Sequence, residues 1–299
     1  MTPTRLTFAS ANGGVGRTTL VAHLAREFSD MGRVPMAFDL DPQNALGLHL
    51  GMTPDETLGI THAEVNRAAI AQMMRRHRAS IPYLPFGGGS EQEIRTLEYQ
   101  IAREPSWLMG RIESLMPKPC HDVLVDIPST MSPWWRAGLK AADMVVVVVR
   151  PEAASFASLP RQEALLRDVL GEDWRARSRY VVNRFDPTRA LDRDIVGTFS
   201  HVLGERLIEV LVPECISFGE ALARGELIDT HETSPARVAL PALASALHRA
   251  AEAAGRRGRS DRDTVERPVP KMRRLAAVSG FDGEGWQPEE GKGRYHVGH

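Results

Sequence analysis

Leu6-Thr7-Phe8-Ala9-Ser10-Ala11-Asn12-Gly13-Gly14-Val15-Gly16-Arg17-Thr18-Thr19 is the stretch on which the fold turns. Leu6 to Ser10 is a short apolar run that predicts a strand. Gly16 to Asp30 predicts a helix, with Leu20, Val21, Leu24, Ala25 and Phe28 on one stripe and Gly32 after its end. Between them lies a glycine-rich turn. Glycines let backbone N–H groups point inward around an anion without Cβ clashes, and the following helix N-terminus adds partial positive charge. Strand, Gly-rich turn and amphipathic helix in that order point to a phosphate-binding loop. Thr18 offers a hydroxyl to Mg²⁺ in such a loop. Arg17 stands where a lysine normally stands; it keeps the charge but is planar and bulkier.

Working outward, the same alternation continues. Val34–Phe38, Ile81–Phe86, Val123–Ile127, Met144–Val149, Tyr180–Val182 and Leu207–Val212 predict strands. Glu91–Ile101, Pro133–Ala142, Leu159–Leu170, Asp192–Leu203, Phe218–Arg224 and Ala236–Ala254 predict helices. Met144–Val149 is apolar on both faces, as a central parallel strand covered from both sides must be. The pattern predicts a three-layer α/β fold with a mostly parallel central sheet and helices on both faces. Two strand ends carry acids. Asp39 and Asp41, in Asp39-Leu40-Asp41-Pro42-Gln43-Asn44, would face the phosphate crevice at the carboxyl end of the sheet. Asp126 closes Val123-Leu124-Val125 and is placed to help hold Mg²⁺.

The chain has 299 residues and a formal net charge of −1. The charge is unevenly spread. Residues 255–299 hold ten Lys or Arg against seven Asp or Glu, with eight Gly and few large apolar side chains. Residues 1–254 carry the other 27 basic and 31 acidic groups. This predicts one nucleotide-binding domain over 1–254 and a polar, disordered tail over 255–299. Near-neutrality argues against DNA as a partner, which calls for a strong basic excess. No apolar run reaches the roughly 18 residues of a membrane span, and Met1 to Ser10 lacks the pattern of an export signal. Cys120 and Cys215 form no metal spacing and read as two small core residues. A cytoplasmic protein is the expectation.

Three further features carry alternatives. Trp134-Trp135 reads as a partner surface or as a helix start with one ring in the core. Met73-Met74-Arg75-Arg76-His77-Arg78 reads as a contact for an acidic partner or as a solvated basic helix face. Lys271 to Val278 reads as a disordered solubilising stretch or as a weak contact for anionic lipid.

The three motifs together resemble the deviant Walker A ATPases of the MinD/ParA class, from about residue 4 to residue 250. Within that class the chain is most similar to the BcsQ family, ATPase-like proteins encoded with bacterial cellulose synthase. The more specific segments are Asp39–Asn44 running into Leu48-His49-Leu50-Gly51-Met52, then Leu84-Pro85-Phe86-Gly87, Asn183-Arg184-Phe185-Asp186-Pro187 with Leu191-Asp192-Arg193-Asp194, and Glu220-Ala221-Leu222-Ala223-Arg224-Gly225. The resemblance implies ATP and Mg²⁺ as cofactors. Asn12, Gly13, Gly14, Val15, Gly16, Arg17, Thr18 and Thr19 would cradle the phosphates, and Thr18 would ligate the metal. Asp41 would position the attacking water, with Asp39 and Asp126 supporting the metal shell. Asn183 would contact the adenine, and Pro213 and Glu214 would close over the base. The class carries a signature lysine where this chain has Asn12. The resemblance further implies an ATP-dependent homodimer that serves a cellulose synthase complex from the cytoplasmic side of the inner membrane. A DNA-partition ATPase and a non-hydrolysing scaffold are the competing readings.

Overall fold

The computed structural model describes residues 3–62, 75–76, 81–113, 116, 118–229, 231 and 233–260. Seven strands form one sheet: β1 (Thr4–Ala9), β2 (Pro35–Asp39), β3 (Arg75–Arg76), β4 (Pro82–Leu84), β5 (Asp122–Asp126), β6 (Met144–Val149) and β7 (Ser178–Val182). Their order is β3-β4-β2-β5-β1-β6-β7. All neighbours run parallel except the two-residue β3, which pairs antiparallel with β4. Nine α-helices are described: α1 (Arg17–Asp30), α2 (Leu46–His49), α3 (Glu91–Arg103), α4 (Pro105–Glu113), α5 (Pro133–Ala141), α6 (Ala153–Leu170), α7 (Ala190–Leu203), α8 (Ser217–Ala223) and α9 (Pro235–Ser260).

The period of two along each strand divides the core. Met36, Phe38, Val123, Val125, Val145 and Val147 face one layer, filled by α3 to α7. Leu6, Phe8, Ala37, Leu124, Met144, Val146 and Val148 face the other, covered by α1 and α9. Both layers are apolar because β1, β2, β5 and β6 are covered on both faces. On α1, Leu20, Val21, Leu24, Ala25 and Phe28 are fully buried against the sheet.

The chain leaves β1 with β5 on one side and β6 on the other. This is the switch point of an open α/β sheet, where a crevice opens beyond the carboxyl ends of the strands. Register aligns the acids there: Asp39 of β2 lies beside Asp126 of β5, and Asp126 beside Phe8 of β1.

Several expectations are corrected. Leu207–Val212 is not a strand. It touches the edge of β7 through a single bridge from Leu207 to Tyr180, and a second bridge joins Phe185 to Pro213. Proline lacks the N–H to continue a ladder at that point. Arg75 and Arg76 lie in an edge strand rather than on a helix; the rest of the 73–78 cluster lies outside the described residues. Both Trp134 and Trp135 are buried, so neither presents a partner surface. Trp134 packs edge-on against Phe86 at 5.0 Å and donates to Glu98 Oε1 at 3.1 Å. The last helix continues through Ser260, six residues past the expected boundary at 254, and residues 261–299, with Lys271 to Val278, lie outside the described residues. None of the described helices is long and apolar enough to cross a membrane.

Candidate nucleotide site

The turn from β1 into α1 is held open by two left-handed glycines, Gly14 at φ +71° and Gly16 at φ +83°. A Cβ on Gly16 would stand 2.4 Å from Asn183 Nδ2, so this position has room only for hydrogen. Asn183, at the end of β7, donates from Nδ2 to the carbonyl of Val15 at 2.6 Å. Its Oδ1 is buried and has no partner among the described residues. Arg184 follows at φ +61°, donates to the carbonyl of Gly14 at 3.3 Å and pairs with Glu214 at 3.3 Å.

The first turn of α1 drives two side chains toward the acids. Arg17 Nη2 donates to Asp41 Oδ2 at 2.8 Å and Nη1 to Ser10 Oγ at 3.1 Å, while Nε donates to Asp126 Oδ1. Thr18 Oγ1 donates to Asp126 Oδ2 at 2.6 Å. Burial opposes the charge on Arg17, but Asp126, Asp41 and Asp39 outweigh it and hold the guanidinium protonated. Burial also pushes the Asp126 carboxyl up, against the pull of Arg17.

Asp39 differs from the other two acids. Its oxygens accept the backbone N–H groups of Asp41 and Leu46, both at 2.9 Å. It therefore shapes the Asp39–Leu46 turn and starts α2. Burial, reinforced by the nearby Asp126 charge, raises its carboxyl well above the usual range. The same turn places Asn44 at φ +52°, where its Oδ1 accepts from the N–H of Gly87 at 3.1 Å. The Asp39–Asn44 and Leu84–Gly87 segments are thus one assembly.

These parts surround a cavity of about 570 Å³, within the range of small-molecule sites. Asn12 through Thr19, Asp41, Asn183, Pro213 and Glu214 all line it; Asp39 and Asp126 do not, and are fully buried behind lining residues to which they hydrogen-bond, Asp39 to Asp41 and Asp126 to Arg17 and Thr18. Ser129, Arg184, Cys215, Ile216, Phe218 and Leu222 also line it and were not foreseen. Adjacency to Asn183 and Pro213 was the available signal for Arg184 and Cys215. Cys215, expected in the core, is only half-buried at the cavity.

The donor set around Thr18, Asp41 and Asp126 consists of hard oxygens of the kind Mg²⁺ takes, and Arg17 at present bonds to Asp41 and Asp126. No group of three His, Cys, Asp or Glu among the described residues forms a metal cage by itself. A magnesium ion would be held here by Thr18 and one or two carboxylates together with a bound phosphate.

A phosphate loop at the switch point of a parallel sheet, with a strand-end acid tied to the loop, defines a P-loop protein of the MinD/ParA kind. The comparisons agree. The chain matches the family model described as "Cellulose biosynthesis protein BcsQ" over residues 4–246, and it belongs to that family. It is 28% identical over 246 residues to the chromosome-partitioning ATPase Soj of Thermus thermophilus, covering 80% of this chain and 93% of Soj. It is 27% identical over 220 residues to a putative replication protein A of Rhizobium rhizogenes, covering 66% of this chain; the alignment spans only about half, 54%, of that relative. Among solved structures, a ParA family ATPase from Chlorobium tepidum superposes with a TM-score of 0.66 at 20% identity, covering 82% of this chain and 99% of that one. Cobyrinic acid a,c-diamide synthase from Mycobacterium smegmatis, solved with an ATP analogue and magnesium, gives 0.67 at 19% identity, covering 83% and 95%.

Proposed function

We propose that this chain binds ATP with Mg²⁺ and acts as a slow or non-hydrolysing nucleotide switch that supports bacterial cellulose synthesis. The observation that carries this reading is the Asn12–Thr19 loop, which lines one cavity with Asp41 and is tied through Arg17 and Thr18 to Asp41 and to the buried Asp126. Thr18 and Asp41 would hold the metal, with Asp126 anchoring Thr18 from below. Asp39 would serve that shell by fixing the turn that carries Asp41. Asn183, Pro213 and Glu214 would enclose the base. When bound, Mg²⁺ neutralises charge on the phosphates.

Turnover draws on charge stabilisation in the transition state, whereas binding draws on many backbone donors. Asn12 is neutral and short, so it brings no charge to a neighbouring nucleotide. Asp41, which would orient the water, already accepts from Arg17. Both features favour binding over hydrolysis. The family name supports the cellulose role, exercised through an ATP-bound homodimer at the synthase complex on the inner membrane. Ile216, 78% exposed on the cavity rim, and Met131, 58% exposed two residues beyond Ser129, offer apolar contacts for a second copy.

The deciding experiment sets ATP affinity beside ATPase rate for the native protein and Asn12→Lys. Tight binding with turnover that rises only in the variant is the expected result. Brisk native turnover, equal to that of the variant, would refute the reading. The partition relative favours one alternative, a DNA-binding ATPase. A salt titration of binding to duplex DNA separates the two, because a DNA binder loses affinity steeply with salt and a protein scaffold shows no such affinity.

A further inference from the structure

Arg17 occupies the place of a phosphate-binding cation, yet its three nitrogens donate to protein oxygens: Nε to Asp126, Nη2 to Asp41 and Nη1 to Ser10. Its side chain is 8% exposed, against 12% for Asp41 and none for Asp126. The hydroxyl of Thr18 is engaged by the same Asp126. The oxygens placed for a divalent ion are therefore already bridged by one fixed positive charge. A lysine could not do this. Its ammonium is a compact point charge, whereas the guanidinium is a rigid fork that stays charged under all ordinary conditions. The fork spans the carboxylate that ends β5 and one in the turn after β2, and a planar guanidinium has the geometry for it.

We propose that Arg17 is the resident cation of this site, and that it makes nucleotide triphosphate binding nearly independent of Mg²⁺. The proposal rests on the nucleotide-binding reading above. Without Arg17, the paired acids would repel a polyphosphate until a divalent ion bridged the two. With Arg17 in place that repulsion is offset before any ligand arrives. Magnesium then adds little to affinity and competes with the guanidinium for Asp41.

The test is equilibrium binding of the fluorescent analogue N-methylanthraniloyl-ATP to the full chain, with Mg²⁺ or with EDTA, for the native protein and for Arg17→Lys. Removing Mg²⁺ is expected to weaken native binding by less than about threefold and Arg17→Lys binding by about tenfold or more, since each tenfold step is a modest energy for a desolvated charge. A native loss of tenfold or more, equal to that of the variant, overturns the proposal. A second arm needs no nucleotide: Mn²⁺ alone is titrated into native protein and Arg17→Gln and followed by its electron paramagnetic resonance signal. Mn²⁺ should bind the variant and not the native chain; equal binding to both overturns the role of Arg17. Absence of analogue binding in every buffer would refute the nucleotide reading, while the Mn²⁺ arm would still decide what Arg17 does. Circular dichroism confirms that each variant is folded, and Arg17→Lys retains the charge should Arg17→Gln fail to fold.

Discussion

The first turns of α1 bury polar groups on two sides, and the two sides handle charge in opposite ways. Toward the strand ends, Arg17 and Thr18 enter a cluster of acids in which a buried positive charge is matched by Asp41 and Asp126. Toward α8 and the Ile228 segment, Thr19 and His23 meet His49 and Phe218. There the histidines have given up their charge: burial pushes His23 down to about 3 and His49 down to about 4. His23 Nδ1–H donates to the carbonyl of Thr19 at 2.8 Å, and its Nε2 accepts from the N–H of Ile228 at 3.2 Å, a pairing that requires the neutral ring. One helix thus shows both ways of burying an ionisable group: pair it, or neutralise it. A paired charge fails when its partner is removed. A neutralised one fails when the pH falls.

The largest expected effect breaks the paired side. Asp126→Ala leaves Arg17 with one carboxylate and Thr18 without its acceptor, a loss of about 3–5 kcal/mol of unfolding free energy in urea titrations. Adding Arg17→Met should recover part of it, because it removes a buried cation that Asp41 alone would then balance. A double variant as unstable as the single would show that the pairing carries no energy.

Next comes the neutralised side. Folding lowers the His23 pKa from its ordinary 6.5 to about 3. Below pH 6.5 the unfolded chain takes up the proton that the folded chain refuses. The contribution is therefore complete above 6.5 and is lost as the pH falls toward 3. His23 should contribute a decline of about 3 kcal/mol to urea titrations between about pH 7 and pH 4.5, and His49, lowered to about 4, adds a loss of the same sign. His23→Gln should remove its own share of the slope, and an unchanged slope would assign the acid sensitivity elsewhere. The raised Asp39 and Asp126 carboxyls act in the opposite sense, since the folded chain holds their protons longer and stability falls as the pH rises from 3.8 through their folded values.

A smaller loss follows from Gly16→Ala, which joins the two sides. Its φ of +83° and the Asn183 contact make any Cβ strained, at about 1–3 kcal/mol. Thermal melts should fall, and binding of the ATP analogue should fall with them. The smallest effect tests the hydroxyl contact of Thr19 with His49 at 3.3 Å. Thr19→Val should cost about 1 kcal/mol or less, and a greater loss would mean that Thr19 couples the histidines to the loop more strongly than one neutral bond allows.

Much of this was legible in the sequence, because glycine spacing, strand periodicity and strand-end acids are local features. β1, α1, β2, β5 and β6 fall within a residue or two of their expected bounds. What was not legible depends on distance. Asp39 and Asp41 look equivalent in the chain, yet Asp39 spends both oxygens on backbone N–H groups. Arg17 was readable as a cation, but its carboxylate partners come from the end of β5 and from the turn after β2. Leu207–Val212 has the apolar content of a strand but only edge bridges to hold it. Helix α4 begins Pro-Ser-Trp and contains Gly110, a composition that conceals so short a helix.

The bond from Asn183 to Val15 spans 168 positions of chain. Contacts of such separation form only after the intervening polypeptide is in place. The phosphate loop lies near the amino terminus, but its shape is completed by β7. Chains truncated before residue 178 should carry every glycine of the loop and still leave its curvature unfixed. Ligand affinity is thereby a proofreader of folding, since a chain that holds nucleotide firmly has already closed its sheet.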